Sequence, residues 1–228
     1  MKFHYTNLET CHETTGVVVV IDVIRAFTNA AVAFSRGAKE IYPVSTVEEA
    51  LQFKARTPNS LACGEVGGLP PEGFDFGNSP TQTKELDLTG KVIVQRTSAG
   101  TQGIVRSVKA GTMLATSLVV GNATVKAIQR FSPETVTFVI TGQYAPGHGD
   151  EDLACAEYLE ALLKGDQPDP APFIERVFRS RDAVQHLDPN RPEFPRTDLD
   201  HCTNIDAFDF AMPVTKENGR HVIRAVQP

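Results

Sequence analysis

The run Val17-Val18-Val19-Val20-Ile21-Asp22-Val23-Ile24-Arg25-Ala26-Phe27-Thr28 decides how the rest of the chain is read. Its first five residues are β-branched and apolar without alternation. Such a run predicts a strand buried on both faces, the signature of a parallel sheet covered by helices. Asp22 ends it. Phe27, Ala30, Ala31 and Phe34 then recur at i, i+3, i+4 and i+7, which predicts a helix with these side chains on one face and a stop at Gly37. A second strand is expected over residues 40–44, where Pro43 favours its end or the sheet edge. Thr46 and Glu49 form a capping box for a helix running through Ala55. The resulting βαβα order predicts an α/β fold with a largely parallel sheet and helices on both faces.

The same layout returns downstream. Lys91-Val92-Ile93-Val94 predicts a strand, residues 96–100 a polar turn, and Thr101 the start of a helix containing Ile104, Val105 and Val108. An offset of 73 lays Thr28 on Thr101 and Val19-Val20-Ile21 on Val92-Ile93-Val94. We read this as two similar βα halves. Asn122 is expected to cap a helix over Val125 and Ile128. Residues 136–140 form a third buried strand, and Cys155, Tyr158, Leu159 and Leu162 mark a further amphipathic helix. Residues 64–80 hold five Gly and three Pro, so they form a long irregular loop, a kind usually kept for function. Residues 1–228 are taken as one α/β domain, within which 166–228 form either a small subdomain or a packing cover.

Composition narrows the partners. The 228 residues carry 22 basic and 28 acidic side chains, a formal charge of -6, without a basic run; a nucleic-acid surface is not expected. The longest apolar stretch is five residues, so neither a membrane span nor a signal peptide is expected. Four scattered cysteines without a C-x-x-C pair suit reduced thiols in the cytoplasm.

In α/β sheets ligands bind outside the carboxyl ends of strands, so the polar residues after each strand carry the search for chemistry. They are Asp22 and Arg25; Glu65; Arg96, Ser98, Gly100 and Thr101; and Asp150, Glu151 and Asp152. Converging acids would suit Mg²⁺, a hard cation with oxygen ligands. Arginines, hydroxyls and N–H groups would suit an anion. Competing readings exist for each. Asp22 and the acid triplet are natural helix caps, and Arg25 has Glu40 as a possible partner. His148 is expected as an exposed loop histidine, and Asp198, Asp200, Asp206 and Asp209 as decoration of a solvated tail. P-loop, Rossmann, G-x-S-x-G and H-E-x-x-H motifs are absent. Ile24 replaces the second acid of a D-x-D phosphatase, and Cys155 falls on an apolar face rather than at a nucleophile position.

Asp22-Val23-Ile24-Arg25-Ala26-Phe27-Thr28, Gly64-Glu65-Val66-Gly67-Gly68, Gly73-Phe74-Asp75-Phe76-Gly77-Asn78-Ser79-Pro80, Gly100-Thr101 and Glu151-Asp152-Leu153-Ala154-Cys155-Ala156 together resemble the 2-phosphosulfolactate phosphatases. The resemblance spans residues 15–165 and, more loosely, Asp206 and Met212-Pro213-Val214. It implies a Mg²⁺-dependent acid phosphatase that converts (2R)-2-phospho-3-sulfolactate to 3-sulfolactate and phosphate, a step of coenzyme M biosynthesis, and a homodimer. It places Asp22, Arg25, Glu65, Glu151 and Asp152 in the active site. Where the family reads T-T-N-G-T, this chain has Thr97-Ser98-Ala99-Gly100-Thr101 preceded by Arg96, a change at the substrate. The expected mechanism has Asp22, Glu151 and Asp152 on the metal, with Asp22, Arg25, Glu65 and Asp152 catalytic and Glu65 orienting or deprotonating water. Arg96, Asn78, Ser98, Gly100 and Thr101 would hold the small anionic phosphorylated substrate. The alternatives are a metal-dependent hydrolase or lyase for another anionic hydroxy acid, and a non-catalytic anion-binding module.

Overall fold

The computed structural model describes residues 1–143 and 147–228. In chain order its main elements are β1 (Lys2–Asn7), β2 (Val17–Ile21), α1 (Ala26–Ser35), β3 (Glu40–Pro43), α2 (Val47–Arg56), β4 (Ser60–Gly64), α3 (Pro80–Thr83), β5 (Val92–Arg96), α4 (Gly100–Arg106), β6 (Thr112–Thr116), α5 (Gly121–Phe131), β7 (Thr135–Ile140), α6 (Asp150–Lys164), α7 (Ala171–Arg179), α8 (Thr197–Cys202), β8 (Met212–Glu217) and β9 (Arg220–Ile223). The described strands make one nine-stranded sheet in the order β1-β7-β2-β6-β8-β9-β3-β5-β4.

Two parallel groups, β1-β7-β2-β6 and β3-β5-β4, are joined by the antiparallel β8-β9 ribbon. β2 and β5 each sit between parallel neighbours, and each leads into a helix. The tail thus supplies the middle of the sheet. β1, β6 and the ribbon have no counterpart among the sequence expectations, because Thr112–Thr116 lacks an apolar run and β1 and β8 are half exposed. Pro43 is the last residue of an interior strand, so the missing donor falls at the strand end.

Ile21 of β2 stands level with Thr116 of β6 and Ile140 of β7. Asp22, Ser117 and Thr141 therefore leave the sheet side by side. In the other group Gly64 is level with Arg96, so Glu65 and Thr97 emerge together. Three antiparallel junctions separate the groups, which therefore run in opposite senses along the sheet. Both sets of carboxyl ends nonetheless reach one cavity, lined by Asp22 from the first group and by Glu65 and Ser98 from the second.

Helix α1 fills the space between the groups. Ala26 to Phe34 are all buried, so the helix is enclosed all round rather than on one face. Its Phe27 and Phe34 pack with Val18 and Val20 of β2, Ile41 of β3 and Ile93 of β5. The other face of β2 and β7 is covered by α5 and α6 through Ile128, Cys155 and Leu159, and that of β5 by α2 through Ala50 and Phe53. The Thr46 capping box forms both of its hydrogen bonds. Val108 lies beyond the end of α4 and is exposed, and Asn122 lies inside α5 rather than capping it. Among the described residues no helix is long and apolar enough to cross a membrane.

Candidate active site

A cavity of about 770 Å³ opens at these strand ends. Seven of the expected site residues line it: Asp22, Arg25, Glu65, Asn78, Ser98, Glu151 and Asp152. Asp22 follows β2; its Oδ1 accepts the Ala26 N–H at 2.8 Å, so it caps α1 and faces the cavity at once. A Cβ on Gly100 would lie 2.7 Å from Asp22 Oδ2, which explains why a residue without a side chain packs there. Asp152, on the first turn of α6, ties the strand ends together. Its Oδ1 accepts from Val23 N at 2.7 Å, and its Oδ2 from Gly142 N at 2.8 Å. Glu151 Oε1 and Asp152 Oδ2 both flank Gly142. Among the described residues, buried Glu151 Oε2 has no hydrogen-bond partner. Asp150 turns away to Arg176, at 2.7 Å.

These acids are electrostatically strained. Burial, with Glu65 and Asp182 nearby, pushes Asp22 up to about 7. Burial, Asp182 and Asp22 push Glu151 up to about 8. Asp152 is also held well above the usual carboxylate range, first by burial and then by Glu151 and Asp22. Each acid raises the next, so the wall attracts a cation.

Opposite them, Arg25 is 5% exposed. Its Nη1 donates to Asp198 Oδ2 at 2.8 Å, its Nη2 to Gly68 O at 3.1 Å, and its guanidinium lies 4.9 Å from the Phe194 ring centre. Asp198 is fully buried and also accepts from Ser79 Oγ at 2.7 Å and Thr81 N at 3.1 Å. It anchors Arg25 and does not decorate a solvated tail. Glu40, the alternative partner, binds Arg224 at 2.8 Å.

Several expectations are corrected. Arg96 and Thr101 do not line the cavity. Arg96 donates to Glu65 O at 2.7 Å and Ser45 O at 3.3 Å, clamping backbone. Thr101 is buried against Thr97. Gly100 packs closely against Asp22 and Ala26. The expected N–H cradle is largely spent: Ser98 N donates to Glu65 Oε1 at 2.5 Å, and Thr101 N to Thr97 Oγ1 at 3.0 Å. Glu65 Oε2 accepts from Gly68 N at 2.7 Å and Ser98 Oγ at 3.1 Å. Its carboxylate is thus occupied in joining two loops and is not an open base. The three-acid metal set of Asp22, Glu151 and Asp152 is not assembled either. Among the described residues no group of three or more His, Cys, Asp or Glu side chains is placed to hold a metal ion. Both Asp152 oxygens instead accept from backbone N–H groups, those of Val23 and Gly142.

The cavity also recruits Arg181, Asp182, Gln185, Asp188 and Arg191, from or just beyond the 3₁₀ turn Arg181–His186. Sequence reasoning missed them, since a charged stretch after an amphipathic helix looks the same on a solvated face. His148 is 16% exposed and bonded to Asp182, not a loose loop residue.

Fold and cavity together define an α/β protein with a polar site of both charge signs at its strand ends. The chain matches the family model described as 2-phosphosulpholactate phosphatase over residues 3–217. It is 33% identical over 200 residues to a probable 2-phosphosulfolactate phosphatase of Bacillus subtilis, covering 87% of each chain. A protein of the same description from Thermotoga petrophila is 35% identical over 198 residues, 83% of this chain and 85% of its own. A third, from Carboxydothermus hydrogenoformans, is 31% identical over 224 residues, 91% of this chain and 90% of its own. The chain belongs to the 2-phosphosulfolactate phosphatase family, whose reaction is phosphoric monoester hydrolysis.

Proposed function

We propose that this protein hydrolyses (2R)-2-phospho-3-sulfolactate to 3-sulfolactate and phosphate with Mg²⁺. The observation that carries the reading is the meeting of buried Asp22 and Glu151 with buried Arg25 in one cavity. Mg²⁺ keeps several waters and needs only one or two protein carboxylates besides substrate phosphate. Asp22 and Glu151 fit that demand. The Glu151 Oε2 atom is buried without a hydrogen-bond partner among the described residues, and both carboxyls are pushed toward protonation, a condition that a divalent cation relieves. When bound, the metal supplies positive charge to the phosphoryl oxygens and makes its water more acidic.

The protein's own groups do the rest. Arg25, held by Asp198 and Gly68, presents the remainder of its guanidinium fork to the phosphoryl oxygens. Arg181 and Arg191 line the same space and suit the second anionic group of the substrate. Asn78 Oδ1 is buried without a hydrogen-bond partner among the described residues and is available to a substrate hydroxyl or a water. Asp152 fixes the ends of β2 and β7, so that Asp22 and Glu151 keep their positions, and Glu65 joins the glycine loop to the start of α4. A cytoplasmic homodimer serving a coenzyme M-type pathway is part of the same reading.

Phosphate release from synthetic (2R)-2-phospho-3-sulfolactate and from 2-phospholactate, in Mg²⁺ and in EDTA, tests it. Release from the sulfonate with Mg²⁺ only is expected. A preference for phospholactate would move the substrate to another hydroxy acid, and absence of release from either would overturn the reading.

A further inference from the structure

Phe194 is 1% exposed and does not line the cavity, yet it touches two arginines that do. Its N–H donates to Arg191 O at 3.0 Å, a tight turn in which the Arg191 guanidinium carbon lies over the ring, 4.3 Å from its centre. The Arg25 guanidinium carbon lies 4.9 Å from the same centre. A Cβ on Gly68 would stand 2.4 Å from Phe194 Cζ, so the ring also supports the loop whose Gly68 O holds Arg25. His186 meets the ring edge-on, at 5.4 Å and 83°. A cation over an aromatic face is attracted without giving an N–H group to an acceptor. Among the described residues Arg25 donates to Asp198 and Gly68, and Arg191 to Glu193 Oε1 at 3.1 Å and Gln185 Oε1 at 3.5 Å. A guanidinium has more N–H groups than those bonds use. The Arg191–Glu193 pair is 40% and 36% exposed, so an incoming anion competes with it at little cost.

We propose that Phe194 is a positioning residue that holds Arg25 and Arg191 at a fixed spacing, and that this pair selects a phosphoric ester carrying a second anionic group, an inference that rests on the phosphatase reading. Buried Arg25 takes the phosphoryl oxygens, and the more exposed Arg191 takes the second anion. Because both lie over one ring, the two cations stay within the span of one short ligand. An aliphatic side chain would fill the same volume but lacks the negative ring face that steadies a cation. Setting both side chains before the ligand arrives also reduces the freedom they lose on binding it.

The test compares wild type, Phe194→Leu, Arg191→Ala and the double variant. It measures kcat and KM on (2R)-2-phospho-3-sulfolactate, and calorimetric binding of 3-sulfolactate and of inorganic phosphate in Mg²⁺. Arg191→Ala is expected to raise KM and weaken 3-sulfolactate binding by about tenfold, while kcat and phosphate binding stay within about threefold of wild type. Phe194→Leu should lower kcat/KM by at least about tenfold and weaken both ligands, because both cations shift. Adding Arg191→Ala to it should cost less than about twofold more. Phe194→Met replaces the leucine variant if circular dichroism shows that the latter does not fold, and Arg191→Ala tests the second anion without disturbing the core. Wild-type kinetics in a folded Phe194 variant, fully additive losses, or equal weakening of phosphate and 3-sulfolactate by Arg191→Ala would overturn the proposal. A wild type that neither turns over the ester nor binds phosphate would contradict the phosphatase reading, and this inference with it.

Discussion

Asp22 and Glu151 show how single residues set the behaviour of the site. In an unfolded chain both ionise near about pH 4, whereas in the fold their protons are held to about 7 and 8. Between those limits the folded protein binds more protons than the unfolded one. Their stabilising effect is therefore full at low pH and is lost as pH rises through 7 and 8. Thermal melts in EDTA should show wild type losing stability relative to Glu151→Gln between pH 5 and 8.5, and millimolar Mg²⁺ should narrow that gap. Parallel melting curves for the two proteins across this range would contradict the assignment. Asp198 makes a separate prediction. Asp198→Ala leaves the buried Arg25 charge uncompensated and should cost about 3–5 kcal/mol, measured by denaturant unfolding. The conservative Asp198→Asn should fold and raise KM more than it lowers kcat, because Arg25 remains but is less firmly aimed.

At the scale of elements, the long loop after β4 depends on how it leaves the sheet. Gly64 has φ of 130°, and a Cβ there would stand 1.8 Å from Arg96 O. Gly64→Ala should therefore displace the β4–β5 pair, cost more than about 3 kcal/mol and reduce turnover sharply. Thr46→Ala, at the capping box of α2, should cost about 1 kcal/mol and leave turnover intact, as urea melts with activity assays will show. The sequence was most informative where one local signal is enough. The valine run, the Thr46 box and the apolar spacing of α6 each mark an element whose faces are uniform. β6 and the β8-β9 ribbon escaped because their residues mix polar and apolar types, and their pairing depends on partners far along the chain. The same limit applies to the site. Asp22, Arg25, Glu65, Glu151 and Asp152 follow strands or open a helix, whereas Asp182 and Asp198 act only through long-range contacts with His148 and Arg25.

Across the whole molecule, the β8-β9 ribbon joins two parallel groups whose strand ends line one cavity. We infer that residues 1–228 act as one domain. Truncation before Met212 should then yield insoluble or unfolded protein, judged by circular dichroism and gel filtration, because Ala115, Ile41 and their neighbours would lose sheet partners in the core. A folded, cooperative truncated chain would instead make the tail a dispensable cover. In the proposed reaction Asp22 and Arg25 serve one phosphoryl group. Its most direct test is steady-state phosphate release from (2R)-2-phospho-3-sulfolactate with Mg²⁺ by wild type, Asp22→Asn and Arg25→Ala. The expected result is turnover by wild type, a fall of at least about 10³ for Asp22→Asn and of about 10²–10³ in kcat/KM for Arg25→Ala, with native folds. Wild-type rates in either variant would contradict it.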